Sequence, residues 1–231
     1  MLSLIDIKDL HKQYHIGEQR VKALDGIDLR IEQGELLSII GPSGAGKSTL
    51  MDMLGLLDTP SSGRILFNGE DVSMFDDNKR SDLRNQEIGF AFQSFFLLSS
   101  LTALQNVSLP LTYRRMSHKE IKEQATAVLK KVGLGDRLFH KPNELSGGQQ
   151  QRVAIARALV TEPKIILADE PTGSLDSMTS AAIIKLLKDL NQENKVTIII
   201  VTHDEQISAE CPRQIHIKDG KITDINQGRS A

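Results

Sequence analysis

The sequence has no tryptophan, two tyrosines and a single cysteine, Cys211. One cysteine excludes an internal disulfide framework and fits a reducing compartment. Its place just before Pro212 reads as core filler. No apolar run approaches the ~18 residues that cross a bilayer, and VTIIIV at 196–201 is too short. The N-terminal stretch MLSLIDIKDL alternates like a strand and lacks the basic-then-apolar layout of a leader. Neither sign of charge dominates, with 28 Lys and Arg against 30 Asp and Glu. A nucleic-acid binder more often carries a basic excess or stripe, so no nucleic-acid partner is expected. The pairs Arg114–Arg115 and Lys130–Lys131 read as solvated faces. There is no convincing internal repeat and no low-complexity linker. What remains is an ordinary globular composition, 39% hydrophobic and 25% charged over 231 residues, enough for one large core or two modest lobes. A compact cytosolic chain is expected.

IDLRIE (27–32) alternates as a half-buried strand does, whereas ELLSII (35–40), KIILAD (164–169) and VTIIIVTHD (196–204) are nearly continuous apolar runs. Such runs suit strands of a parallel sheet covered on both faces. Asn68–Gly69 and Asp219–Gly220 each sit between short apolar stretches and signal hairpins. Between roughly 75 and 160 the pattern is mostly helical. Ser117 with Glu120 forms a capping box, apolar residues follow at helical spacing from Ile121 to Val132, and Gly133 is placed to end the helix. A further amphipathic helix carries Ile183, Ile184, Leu186, Leu187 and Leu190. Strands alternating with helices predict an α/β fold with a parallel sheet.

GPSGAGKST matches the phosphate-binding pattern G-x-x-x-x-G-K-[ST] in full, with Gly41, Pro42, Ser43, Gly44, Ala45, Gly46, Lys47, Ser48 and Thr49 in order. Glycines let successive backbone N–H groups face phosphate oxygens, and the following helix adds its positive end. Lys47 is suited to the outer phosphates and the Ser48 hydroxyl to Mg²⁺. In IILADEPTG a buried strand ends in two adjacent carboxylates. Asp169 is expected to hold the Mg²⁺ shell and Glu170 to act as general base toward water. The expected architecture is therefore a P-loop NTPase with a mostly parallel core sheet and an antiparallel β part near the N-terminus. Residues 1–90 and 161–231 are expected to build the nucleotide-binding core, and about 91–160 an inserted helical subdomain.

LSGGQQQRVAIARAL (145–159) places a second set of anion donors, the Ser146 hydroxyl and the Gly147 and Gly148 amides, before a strong helix. One nucleotide needs one triphosphate cradle, so the second set is useful if it closes on a nucleotide held by another copy. Composition and spacing leave open whether that copy is the same chain or a neighbour.

These stretches resemble the ABC-type ATPases, the nucleotide-binding subunits of ATP-binding-cassette systems, over essentially the whole chain. GPSGAGKST is similar to the family's Walker A, IILADE to its Walker B with the catalytic Glu, and LSGGQ (145–149, including Gln149) to its signature. The resemblance implies a head-to-tail homodimer with two ATP molecules, each between one Walker A and the partner's LSGGQ. It further implies that Tyr14 stacks on adenine and that the Q-loop Gln93 touches Mg²⁺ and the attacking water. Asp176 of the D-loop GSLD would cross the dimer interface, and His203 would contact the γ-phosphate.

Phe90, Phe92, Phe95 and Phe96, followed by Leu97, Leu98 and Leu101, gather four of the seven phenylalanines. Phe90 and Phe92 suit core filling equally well, while Phe95 to Leu98 read as an exposed binding groove; the resemblance implies that it receives a short helix of the membrane subunit. Within the family the chain looks most like the MacB/LolD branch. That likeness implies a separate integral-membrane permease, placement on the cytoplasmic face of the inner membrane, and export or lipoprotein release as the task. The alternative is an FtsE-like regulatory ATPase that transmits a signal without moving cargo. Uses of the same sandwich on DNA or ribosomes go with long coiled coils or tandem cassettes, neither of which is present in this sequence.

Overall fold

Strands such as TIIIV carry apolar residues at consecutive positions because both of their faces are covered. A computed structural model of the chain describes residues 3–17 and 19–227. A long antiparallel hairpin, β1 (Ser3–Ile16) and β2 (Gln19–Glu32), precedes β3 (Leu36–Ile40) and α1 (Lys47–Leu54). β4 (Ser62–Phe67) and β5 (Glu70–Asp71) lead to α2 (Asp77–Glu87), β6 (Ile88–Phe92), α3 (Ala103–Ser108), α4 (His118–Lys131) and α5 (Gly147–Leu159). The chain continues through β7 (Ile165–Asp169), α6 (Ser177–Asn194), β8 (Thr197–Thr202), α7 (Glu205–Ala209), β9 (Arg213–Lys218) and β10 (Lys221–Gln227).

The strands form two sheets. One is antiparallel, in the order β2-β1-β4-β5; the other runs β10-β9-β3-β8-β7-β6. In the second sheet every neighbouring pair is parallel except β9 with β10. Alternate residues of its strands enter different cores. Leu37, Ile39, Ile165, Leu167, Ile199 and Val201 pack with α1 and the antiparallel sheet. Ile166, Ala168, Ile198 and Ile200 pack with α5 and α6 on the other side. Period-two alternation is thus present in the contacts but invisible in the sequence, because both destinations are apolar. A third core joins α3, α4 and α5 through Val107, Leu111, Ile121, Leu129 and Val153.

The turn chemistry is as expected. Asn68 and Gly69 have φ of 50° and 83°, and Asp219 and Gly220 have 48° and 75°. Two consecutive left-handed residues are what a two-residue hairpin with right-handed strand twist requires. Ser117 and Glu120 form a reciprocal capping box at the start of α4.

Two expectations are corrected. The stretch from 75 to 160 is mostly helical, as expected, but β6 lies inside it and pairs with β7 along its whole length, so a boundary at 90 falls within a strand. Gly89 breaks its apolar run, yet the position demands glycine. A Cβ there would stand 2.2 Å from the Ala158 carbonyl oxygen of α5. Arg114 is half-buried rather than solvated, whereas Arg115, Lys130 and Lys131 are exposed as expected. The Arg114 guanidinium donates to the Asn85 side chain and to the carbonyls of Asn85 and Thr161, at 2.7–3.2 Å.

Candidate nucleotide-binding site

The parallel strands end at one edge of the sheet, where ligands of open α/β folds gather. Register aligns the ends: Ile40 pairs with Thr202, Val201 with Asp169, and Asp169 with Phe92. The next residues along each chain are therefore neighbours. They are Gly41 of the P-loop, His203, Glu170 and Gln93. All but Gly41 line a cavity of about 730 Å³ together with Asp169, Pro42, Ser43, Gly44 and Gly46 to Thr49.

The loop's glycines have distinct reasons. A Cβ on Gly41 would lie 2.1 Å from the Ile217 carbonyl oxygen, and one on Gly46, where φ is 102°, 2.5 Å from that of Ala23. Gly44 also has positive φ but faces open space, so its need is conformational. Ala45 is buried, and its carbonyl accepts from Gly220 N at 3.0 Å. The Lys47 ammonium donates to the carbonyls of Gly41 and Pro42 at 2.8 and 2.9 Å. That holds it inside the loop with a third donor left for an anion.

The chain turns sharply after Asp169. Glu170 takes φ 44°, a left-handed conformation unusual for a glutamate, and its N–H donates to Val201 O at 2.8 Å. Strand alternation would send two adjacent carboxylates to opposite faces; the turn brings both into the cavity. Glu170 Oε1 accepts from His203 N at 2.9 Å and lies 2.5 Å from His203 Nδ1, while Oε2 accepts from Thr202 Oγ1 at 3.1 Å. Burial, and then Glu170, push the Asp169 carboxyl above the ordinary aspartate range, while Lys47 opposes them.

Among the described residues no three His, Cys, Asp or Glu side chains cluster to hold a metal on their own. With the Glu170 carboxylate turned to Thr202 and His203, the donors left for a metal in the cavity include the Ser48 hydroxyl, the Asp169 carboxylate and the Gln93 amide oxygen. An all-oxygen set with one carboxylate fits Mg²⁺ arriving with phosphate oxygens. Gln93 is packed over Gly173, where a Cβ would stand 2.7 Å from Gln93 Nε2.

Other expected site residues do not line this cavity. Tyr14 is not among the cavity residues. Its hydroxyl donates to Asp58 Oδ2 at 3.1 Å, and the Lys12 ammonium stands 4.9 Å from its ring centroid. Ser146 and Gln149 cap α5 reciprocally, with the Gln149 N–H on Ser146 Oγ at 3.3 Å and the Ser146 N–H on Gln149 Oε1 at 3.0 Å. A Cβ on Gly147 would be 3.1 Å from a Leu175 methyl, and one on Gly148 2.4 Å from the Thr179 methyl. Asp176 caps α6, accepting from the N–H and hydroxyl of Thr179 at 2.9 and 2.6 Å. These hydrogen bonds, the hydroxyl's first, hold its carboxyl below the usual range. None of this signature and D-loop group lines the P-loop cavity.

The chain matches the family model described as ABC transporter over residues 24–173. It belongs to the ABC transporter family. Over 98% of its length this ABC ATPase is 49% identical to the uncharacterized ABC transporter ATP-binding protein YknY of Bacillus subtilis, covering 98% of that protein. It is 44% identical over 96% of the chain to the lipoprotein-releasing system ATP-binding protein LolD of Myxococcus xanthus, all of which is covered. The macrolide export ATP-binding/permease protein MacB of Hyphomonas neptunium is 47% identical over 99% of the chain, which spans 35% of that longer protein. The dimeric structure of the cassette MJ0796 in a post-hydrolysis state, bound to ADP and Pi, superposes with a TM-score of 0.90 at 44% identity. It covers 98% of this chain and 100% of that one. Among the described residues of the ABC ATPase, no helix is long and apolar enough to cross a membrane.

Sequence reasoning missed two anchors of the segment after Gln93. Asn106 is fully buried on α3; its side chain accepts from Leu98 N and donates to the carbonyls of Leu98, Leu101 and Thr102. Arg157 of α5 donates to the carbonyls of Phe95 and Phe96. The faint signal in each case was a polar residue on an otherwise apolar helix face.

Proposed function

We propose that two copies close head to tail over two ATP molecules, and that closure and hydrolysis drive a separate membrane permease of the MacB/LolD kind. The observation that carries the reading is the separation of two anion-binding sets. The P-loop, acids, Gln93 and His203 share one cavity, while Ser146, Gly147 and Gly148 stand outside it, on the tip of another helix. A cradle that does not reach its own chain's nucleotide has a use on a partner's.

Within the cavity, Lys47 and the P-loop amides bind and orient the phosphates. Mg²⁺, carried by the Ser48 and Asp169 oxygens, would offset phosphate charge. Glu170, aligned by Thr202 and His203, takes a proton from water. The water oxygen bonds to the γ-phosphorus as its bond to the β–γ bridging oxygen breaks, leaving ADP and phosphate. His203 is largely exposed, which suits contact with the γ-phosphate. Glu170→Gln is expected to bind ATP while losing about 10²–10⁴-fold in turnover; hydrolysis at the normal rate would refute the general-base role. Lys47→Ala is expected to weaken ATP binding, and unchanged affinity would remove Lys47 from phosphate recognition.

The permease reading is supported by Phe96 and Leu98, which are 63% and 50% exposed. Beside β6 lies a hollow of about 760 Å³ whose lining includes Leu57, Ile88, Phe90 and Tyr113. Capture from membranes with the tagged Glu170→Gln chain and ATP tests it. A stoichiometric permease with a large extracytoplasmic domain is expected; soluble, ribosomal or DNA-bound partners alone would overturn it.

A further inference from the structure

Phe95 and Phe96 are consecutive residues with φ of 57° and 45°. Bulky side chains rarely adopt this left-handed backbone, so something outside the segment holds it there. Short-range contacts account for part of the shape: Phe95 N–H donates to Phe92 O at 3.1 Å, and the Phe96 ring meets Phe92 edge-on at 5.2 Å. The tie from outside is Arg157, in the last turn of α5. Its two terminal nitrogens donate to Phe96 O at 2.6 Å and Phe95 O at 2.7 Å. Among the described residues it has no carboxylate partner, and burial lowers its basicity. A half-buried guanidinium given over to two adjacent carbonyls is a fork fitted to this turn; an ammonium is a point charge without that geometry.

We infer that Arg157 is the positioning residue for Gln93, tying the Q-loop to the signature helix so that the two move together. Gln93 is held on its N-terminal side by β6, where Phe92 pairs with Asp169, and on its C-terminal side by the Arg157 fork. The same α5 carries Ser146 at its other end. A shift of the signature when a partner's nucleotide engages it is thereby passed to the amide in this chain's own cavity and to the exposed Phe96. The inference rests on the role proposed above for Gln93.

The test is steady-state ATP hydrolysis by the intact chain for Arg157→Lys, Arg157→Gln and Gln93→Ala, each with a thermal midpoint. Lysine keeps the charge and loses the fork. Glutamine removes the charge and keeps one donor nitrogen, which covers the case in which the lysine variant fails to fold. Either is expected to lower kcat by about tenfold to a hundredfold, the scale of a displaced catalytic group, with KM for ATP within about twofold because the P-loop is untouched. A purely structural role would lower the midpoint and leave kcat per folded molecule unchanged, and that result overturns the inference. If neither variant folds, Arg157 is a folding determinant and the inference falls. If Gln93→Ala lowers kcat and the Arg157 variants do not, it falls alone; if Gln93→Ala has no effect, the Gln93 role falls with it.

Discussion

At the residue scale, the cavity joins groups whose demands conflict with stability. Asp169 is raised above its ordinary value by burial and by Glu170, so the folded state disfavours its ionised form. A carboxyl raised on folding lowers stability at neutral pH and restores it as pH falls through the folded value. Asp169→Asn is therefore expected to raise the thermal midpoint at pH 7.5 while abolishing turnover. A lower midpoint would show that the carboxylate contributes to the fold. Metal-dependent ATP binding requires the ionised form and is expected to weaken, on acidification, at higher pH than an ordinary aspartate predicts. Lys47→Ala removes the opposing cation and is expected to move that loss higher still. Titrating ATP affinity against pH for both proteins checks the order.

Lys12 illustrates a residue with no sequence signal. It is 8% exposed and lies 2.7 Å from both Asp58 Oδ2 and the Thr59 carbonyl. Burial would raise the Asp58 carboxyl, but the bonds from Lys12, the Thr59 N–H and Tyr14 outweigh it and hold it low. Asp58→Ala strands a buried ammonium and is expected to cost about 2 kcal/mol in urea unfolding. A loss too small to measure would mean that Thr59 alone satisfies Lys12. Anchors such as this one, Arg114, Arg157 and Asn106 all use backbone carbonyls, some of them far away in the chain. A carbonyl is present at every residue, so no pattern of side chains announces which one a distant cation will meet. The P-loop and LSGGQ were legible for the opposite reason, since their function depends on side-chain identity at fixed local spacing.

At the element scale, hairpins and caps were readable because their determinants span only two to four residues. Asn68–Gly69, Asp219–Gly220 and Ser117–Glu120 each specify their geometry locally. β6 was not readable. It is five residues long, contains a glycine, follows the polar α2, and gains its stability from β7 and α5, both far along the chain. Its glycine is the element's tightest fit. Gly89→Ala sets a Cβ against the Ala158 carbonyl, and neither backbone segment yields easily. The expected cost is about 1–3 kcal/mol, as for overpacking elsewhere, read as a lower urea midpoint at constant slope. A change below about 0.5 kcal/mol would show that α5 and β6 separate more freely than their contact indicates. The same contact places the signature helix against the strand that delivers Gln93, so turnover is expected to fall with stability in this variant.

At the scale of the whole molecule, the sequence implied two anion cradles and the fold keeps them apart. One lies at the C-terminal edge of the parallel sheet, the other at the tip of α5. A cassette to which the chain is similar is dimeric; whether this chain pairs through its two cradles is the open point. Gly147→Asp is the sharper probe of the second cradle. Its Cβ meets only a Leu175 methyl at 3.1 Å, whereas Gly148 faces Thr179 at 2.4 Å and Ser146 caps the helix. The new carboxylate would repel a partner's γ-phosphate and leave the P-loop intact. The most direct measurement is sedimentation velocity of Glu170→Gln, alone and combined with Gly147→Asp, with Mg²⁺–ATP at matched nucleotide occupancy. Closure of two copies over each other's ATP predicts an ATP-dependent dimer for the first protein and an ATP-bound monomer for the second. Equal dimerisation of the two, or a Glu170→Gln chain that stays monomeric with ATP bound, would contradict it.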